Sequence, residues 1–339
     1  MTTRLSNESQ TERAASARPA LRQRLSQFLL KRREASIFAA GCMLVIYFQI
    51  MSSVFISQDN ISTLVQYATA TVVMAAGQVM VLICGELDLS VGMVYALTPF
   101  LMYFAHQAGV PIPGAIVLAL LGAGLVGLIN GLITTLLKLP SFVTTLGMFF
   151  LINGFTLTIS GGFPVRPEAG DTVTAVMGGS ALAGFCWAVG LAIILQFVLT
   201  RTRWGLHTIA VGGNLSGATE AGIKVNRIKV RNFILCSMFA GFAGVLDAFR
   251  IGSIDPLSGG SEIMFMAIAS AVIGGTLLTG GVGTIISALL GAFVLAILKD
   301  SFTISGVSGY TFDIILGGAI LLTMTINVHL NRWRTGGDT

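Results

Sequence analysis

Long apolar runs separated by short polar punctuation dominate the chain. About 20 apolar residues suffice to cross a bilayer as a helix. Such runs fall at Ala35–Phe55, Ile61–Ile83, Leu89–Phe104, Pro113–Leu137, Pro140–Ile159, Ala181–Leu199, Asn232–Phe249, Ile263–Leu278, Thr284–Leu298 and Phe312–Val328. The pattern predicts an all-α polytopic membrane bundle of about ten transmembrane helices, the eighth and ninth short and interrupted by glycine. The runs are continuous and do not alternate, which argues against a membrane β-barrel.

Composition supports this reading. The chain is 54% hydrophobic and 10% charged, with mean hydropathy +0.84. A soluble domain carries about 25% charged residues. The first apolar run is as long as a membrane span and starts only at Ala35, so no cleavable signal is expected there.

Charge sets the expected topology. The basic segment 1–34 holds Arg4, Arg13, Arg18, Arg22, Arg24, Lys31, Arg32 and Arg33 against Glu8, Glu12 and Glu34. Its first 18 residues read as disordered. Leu21, Leu25, Phe28 and Leu29 then share one helical face, as in a helix lying on the inner membrane surface. The alternative is a floppy basic tail, because so short an isolated helix is marginal in water. A second cluster comprises Arg201, Arg203, Lys224, Arg227, Lys229 and Arg231, and a third is Arg332 and Arg334 in the tail 331–339. Ten spans put all three clusters, and Lys138, on one side. The positive-inside rule makes that side cytoplasmic, together with both termini. The net charge of +5 is therefore a topology signal and not a nucleic-acid footprint. The outer segments Ser160–Ser180 and Arg250–Glu262 are either docking surfaces for an extracytoplasmic partner or plain connections.

Candidate chemistry concentrates in Gly85-Glu86-Leu87-Asp88-Leu89-Ser90-Val91-Gly92, between two apolar runs. Ionised groups at membrane depth are costly and normally face a bundle interior or an aqueous path. Gly85 and Gly92 allow a helix break there. Glu86, Asp88 and Ser90 are candidates for lining a solute path or holding the broken helix, and Asp88 is also placed to cap the next helix. Gln78, Asn130 and Asn153 are polar enough for a path, but ordinary interhelical hydrogen bonds explain them as well. Gly122, Gly127, Gly131, Gly241 and Gly244 are spaced for close helix packing.

The segment 200–231 is long for a connection between packed helices. Asn214 is placed to cap a short helix over Leu215–Ala221, and Gly222 to end it. Its small residues would let another protein's groove close around it.

No catalytic set emerges. His106, His207 and His329 are far apart, without metal-ligand spacing. Cys42, Cys84, Cys186 and Cys236 form no Cys-x-x-Cys pair and read as buried, inert thiols. No Gly-x-x-x-x-Gly-Lys-Ser/Thr occurs, so a phosphate loop for ATP is not expected in this chain. Gly85–Gly92 and Gly274–Gly281 resemble each other faintly, and Ala-Leu-Leu-Gly-Ala recurs at 119–123 and 288–292. Residues this common make coincidence the better account.

The motifs together are similar to those of the membrane permease subunit of ribose-type sugar ABC importers, over about residues 35–330. That family shows Gly-Gly-Ile-Asp-Leu-Ser-Val-Gly where this chain has Gly85–Gly92. It shows a Gly-Gly-Asn stretch ending in Gly-Ile, matched by Gly212, Gly213, Asn214, Gly222 and Ile223. A later glycine-rich turn is matched by Gly274, Gly275, Gly280, Gly281 and Gly283. Glu86 departs from the family, which usually has an apolar residue there. Ser216-Gly217-Ala218-Thr219-Glu220 likewise stands where an Ala-Ala pair is usual.

The resemblance implies a homodimeric or heterodimeric permease in a bacterial inner membrane. A cytoplasmic ABC ATPase would dock on the loop around Asn214–Ile223, with Ala218 and Glu220 among its contacts, and would use ATP and magnesium. A periplasmic binding protein would deliver a sugar or sugar-like polyol. The chain itself would need no cofactor or metal and perform no catalysis. Two alternatives stay open: an ion-coupled carrier using Glu86 and Asp88, and the same permease type carrying a nucleoside or amino acid. Membrane-buried Lys and Arg are scarce, which favours a neutral solute.

Overall fold

A computed structural model describes residues 33–306 and, beyond them, Thr311, Ile314, Ile315, Gly317, Gly318, Leu321 and Thr325. The expected surface helix in 1–34 (apart from Arg33 and Glu34), most of the tenth span and the tail 331–339 lie outside the described residues.

The apolar runs become helices α1 (Arg33–Met51), α2 (Gln58–Ile83), α3 (Val91–Gln107), α4 (Ile112–Leu136) and α5 (Ser141–Ser160). A single turn, α6 (Asp171–Thr174), leads into a π-helical turn at Ala175–Gly179. Then follow α7 (Ala181–Arg201), α8 (Arg203–Gly213), α9 (Leu215–Glu220), α10 (Val225–Ile251), α11 (Gly260–Ile273) and α12 (Ile285–Ile304). The described residues contain no strand, only an isolated bridge between Val165 and Ile254.

Local chemistry sets the helix ends. The side chains of Ser57, Ser180, Thr202 and Thr284 accept backbone N–H bonds in the first turns of α2, α7, α8 and α12. Pro111 and Pro140 precede α4 and α5, where a missing N–H is harmless.

Seven helices among the described residues are long and apolar enough to span a bilayer: α1, α2, α4, α5, α7, α10 and α12. The helix α3 has 17 residues with Pro99 inside it, and α11 has 14. The eighth predicted span stops at Ile273 because the glycine-rich turn follows. The expected loop 200–231 is no open loop. It contains α8, α9 and the first turns of α10, which starts at Val225 rather than Asn232.

Two helices form the centre. Every residue of α2 from Ala68 to Ile83 is buried, and α10 packs against α2, α3 and α4. The spaced glycines make this approach possible. A Cβ on Gly127 would sit 2.4 Å from the carbonyl oxygen of Phe233, and one on Gly244 would sit 2.0 Å from that of Tyr95. By contrast α4, α5 and α7 expose large apolar side chains such as Leu121, Phe150 and Phe197, as lipid-facing helices do. Cys84 and Cys236 are buried as expected; Cys42 and Cys186 are exposed.

Candidate functional site

Three motifs that are far apart in sequence meet at one end of the bundle. The carbonyl of Ile83, the last residue of α2, accepts a hydrogen bond from the Gly281 N–H at 2.7 Å. The last turn of α8 lies against the same point, where a Cβ on Gly212 would come within 1.6 Å of the Ile83 oxygen and 2.6 Å of the Gly281 nitrogen. A Cβ on Gly280 would sit 3.1 Å from Gly85. The break after α2, the segment α8–α9 and the turn between α11 and α12 thus form one backbone junction. Gly85 and Gly281 both have φ of +78°, a left-handed conformation that side chains disfavour. Gly274 packs against the backbone of Ser287, and Gly283 against Thr276 and Ile83. Gly275 also has positive φ.

Neighbouring side chains hydrogen-bond the backbone of the break where it leaves the helix. The N–H of Leu87 bonds to the Ser141 hydroxyl at 3.1 Å, and that of Leu89 to the Thr145 hydroxyl at 3.0 Å. These two residues are one turn apart on α5. Irregular backbone inside a membrane chain needs such partners, because lipid supplies none.

Asp88 is completely buried. Its Oδ1 accepts from the Ser90 N–H at 2.9 Å and from the Ser90 hydroxyl at 2.6 Å. Ser90 immediately precedes α3, so Asp88 braces the start of that helix. The Asn130 side chain donates to the Ser90 hydroxyl at 2.9 Å, and Gln78 donates to the Asp88 carbonyl at 3.3 Å. These bonds run from α4 and α2 to the break itself, so both side chains hold the broken segment in place. Gly92 lies where α3 touches the start of α11: a Cβ there would be 2.0 Å from the Gly260 oxygen.

Glu86 forms an ion pair with Lys229 on the first turns of α10. Both side chains are mostly buried, at 12% and 17% exposed. The carboxylate therefore ties the break to the segment following α9 and has a fixed counter-charge.

The short helix over Leu215–Glu220 forms as the sequence implies. The Asn214 side chain accepts from the Gly217 N–H at 2.8 Å, and Gly222 follows with φ of +77°. Ala218 is buried, whereas Gly213, Asn214, Glu220 and Gly222 are exposed; Ile223 packs beside Ala218 and Val211. Asn232 connects this segment to the core. It accepts from the Trp204 indole at 2.8 Å and donates to the Met80 carbonyl at 3.0 Å, so α8, α10 and α2 share one bond network.

A family model described as the permease component of a branched-chain amino acid transport system matches residues 60–324. The chain belongs to this permease family. It is a multi-pass membrane transport subunit and not an enzyme. The permease is 36% identical over 315 residues to the xylose/arabinose import permease protein XylH of Sulfolobus acidocaldarius, covering 90% of this chain and 87% of that protein. It is 31% identical to the ribose import permease protein RbsC of Escherichia coli, covering 87% and 93%. It is 32% identical to the D-allose transport system permease protein AlsC of the same organism, covering 86% and 90%. No solved structure matches the permease. These relatives do not favour the ion-coupled carrier.

Sequence reasoning missed Lys229, Ser141, Thr145, Trp204 and Asn232 as parts of the permease junction. From sequence Lys229 reads only as a topology charge, and each of the five has its partner in a distant segment, either the break or another helix. The spacing of Ser141 and Thr145 by one turn was the only signal available in advance.

Proposed function

We propose that this chain is the permease subunit of an ATP-driven importer that carries a neutral sugar or sugar-like polyol across a bacterial inner membrane. The junction of Ile83, Gly212 and Gly281 carries the reading. It places a broken helix of the bundle directly against α8, which leads into the exposed helix α9. A partner pressing on that segment would move the break.

An ABC ATPase docking on Asn214–Ile223 would exert that push, using ATP and magnesium in its own site. Exposed Asn214 and Glu220 are the polar contacts it would meet, with buried Ala218 keeping α9 seated on the bundle. Charge supports the sidedness. The junction end carries Lys138, Arg201, Arg203, Lys224, Arg227, Lys229 and Arg231, whereas the described remainder after α1 has Arg166, Arg250 and Lys299. The positive-inside rule then puts the junction in the cytoplasm.

A transporter of this kind uses two permease subunits, each with about ten spans and cytoplasmic termini. An extracytoplasmic binding protein delivers the solute. The bridge between Val165 and Ile254 ties two connections together at the other end, which gives that protein a composite surface. The sugar class is supported by the names of the xylose/arabinose, ribose and allose relatives.

Gentle-detergent purification of the permease from its native membrane, with mass spectrometry of co-purifying proteins, tests this. Recovery of an ABC ATPase and a sugar-loaded binding protein is the expected result. Absence of any ATPase after crosslinking through Asn214–Ile223 overturns it.

A further inference from the structure

A cavity of about 180 Å³, lined by both charged and apolar side chains, lies between α2, α10, α11 and α12, away from the junction. Its wall residue Ala70 is about 20 Å along α2 from Ile83, at 1.5 Å per residue. Tyr67, Asp247, Arg250, Glu262 and Lys299 contribute to its lining. Gly259 is also in the wall, and a Cβ there would be 2.5 Å from the Gly92 oxygen and 2.9 Å from the Tyr95 ring. The cavity therefore abuts the first turn of α3, where the broken segment ends.

The charges are arranged in pairs. Asp247 accepts from both the Tyr95 hydroxyl and the Arg250 guanidinium, and these paired side chains are only 12% and 19% exposed. Arg250 also lies over the Tyr67 ring, 5.1 Å from its centroid. Glu262 accepts from Lys299 at 2.6 Å. Mostly buried ionisable groups in a membrane chain, such as Asp247 and Arg250, are costly and mark substrate pathways. Glu262 and Lys299, by contrast, are 58% and 39% exposed. Two carboxylates and two cations give no net charge, so an ion would find no preferred counter-charge. A neutral polyol would find donors and acceptors in number, with an aromatic ring for its C–H face. An engineered cavity of about 150 Å³ admits benzene, so the volume here accommodates one substituted six-membered ring.

We propose that this cavity is a binding site for one neutral, monosaccharide-sized polyol on its way from the delivering protein to the broken helix. The proposal rests on the import reading above and assigns that solute a place within the chain.

The test uses the complete transporter in liposomes and the permease alone in nanodiscs, with ribose, xylose, arabinose and allose as probes. Glu262→Gln weakens one exposed pair, and Ala296→Leu, at a wall position on α12, fills the cavity while leaving every charge in place. Uptake of the transported sugar, at saturating binding protein, is expected to fall about tenfold in both variants. The amount of permease inserted and its co-purification with the ATPase should be unchanged, which a merely structural defect would not allow. The same sugar should raise the melting temperature of the wild-type permease and not that of Ala296→Leu. Wild-type uptake with unchanged uptake in both variants overturns the cavity and leaves the importer standing. Thermal stabilisation by a sugar without any uptake keeps the cavity and overturns the importer. Neither uptake nor stabilisation by any probe overturns both.

Discussion

Gly281 donates its backbone N–H to the carbonyl oxygen of Ile83 at 2.7 Å, across nearly two hundred residues of sequence. The bond closes the end of α2 with a group from the turn between α11 and α12. Only glycine at position 212 leaves room for it, since a Cβ there would overlap the same carbonyl.

Gly212→Ala should therefore destabilise the permease by about 3 kcal/mol, in the range for overpacked sites. Gly213→Ala should be nearly neutral, because its nearest neighbour is the Gly281 Cα at 3.9 Å. Melting of the two purified variants in detergent checks the contrast. Equal stability would mean the junction relaxes freely.

Asp88→Ala should lower uptake while the protein still reaches the membrane. It removes both hydrogen bonds that brace Ser90 ahead of α3, a loss on the scale of a helix cap, about 1–2 kcal/mol. Asp88→Asn keeps an acceptor oxygen and should retain more uptake. Normal transport per inserted copy of Asp88→Ala would remove this residue from the working site.

The ion pair between Glu86 and Lys229 should behave as a unit. Either Glu86→Gln or Lys229→Met leaves a mostly buried partner uncompensated, which is the expensive way to break such a pair. The exchange Glu86→Lys with Lys229→Glu should recover part of the loss. A double-mutant cycle on uptake is expected to show a coupling of about 1–3 kcal/mol. Additive effects would show that the pair does not connect the break to α10.

Asn214→Ala should cost about 1 kcal/mol by uncapping α9. Asn214→Asp preserves the cap and should behave as wild type in stability. Co-purification of the ATPase with each variant separates docking from folding. Undiminished recovery with Asn214→Ala would place the docking contact elsewhere.

The sequence by itself determined the helical membrane architecture, because burying or facing lipid with a long backbone demands long apolar runs. It also determined α9 and its cap, since an Asn side chain and a left-handed Gly act within one helical turn. The break after Ile83 was legible for the same reason: Gly85 and the acids interrupt an apolar run. The role of Glu86 was not legible. An acid in an apolar run looks like a path residue until Lys229, more than a hundred residues away, is seen beside it. Likewise the three glycine motifs were separate marks along the chain, and nothing in the local sequence required glycine at Gly212 or Gly281. Only the tertiary structure set the Ile83 carbonyl, Gly212 and Gly281 against one another. Close backbone contact is decided by helix packing between distant segments, and no local pattern encodes which segments will meet. The Glu262–Lys299 pair beside the cavity is of the same kind, because the two become neighbours only when α11 and α12 converge, whereas Asp247 and Arg250 lie one turn apart on α10.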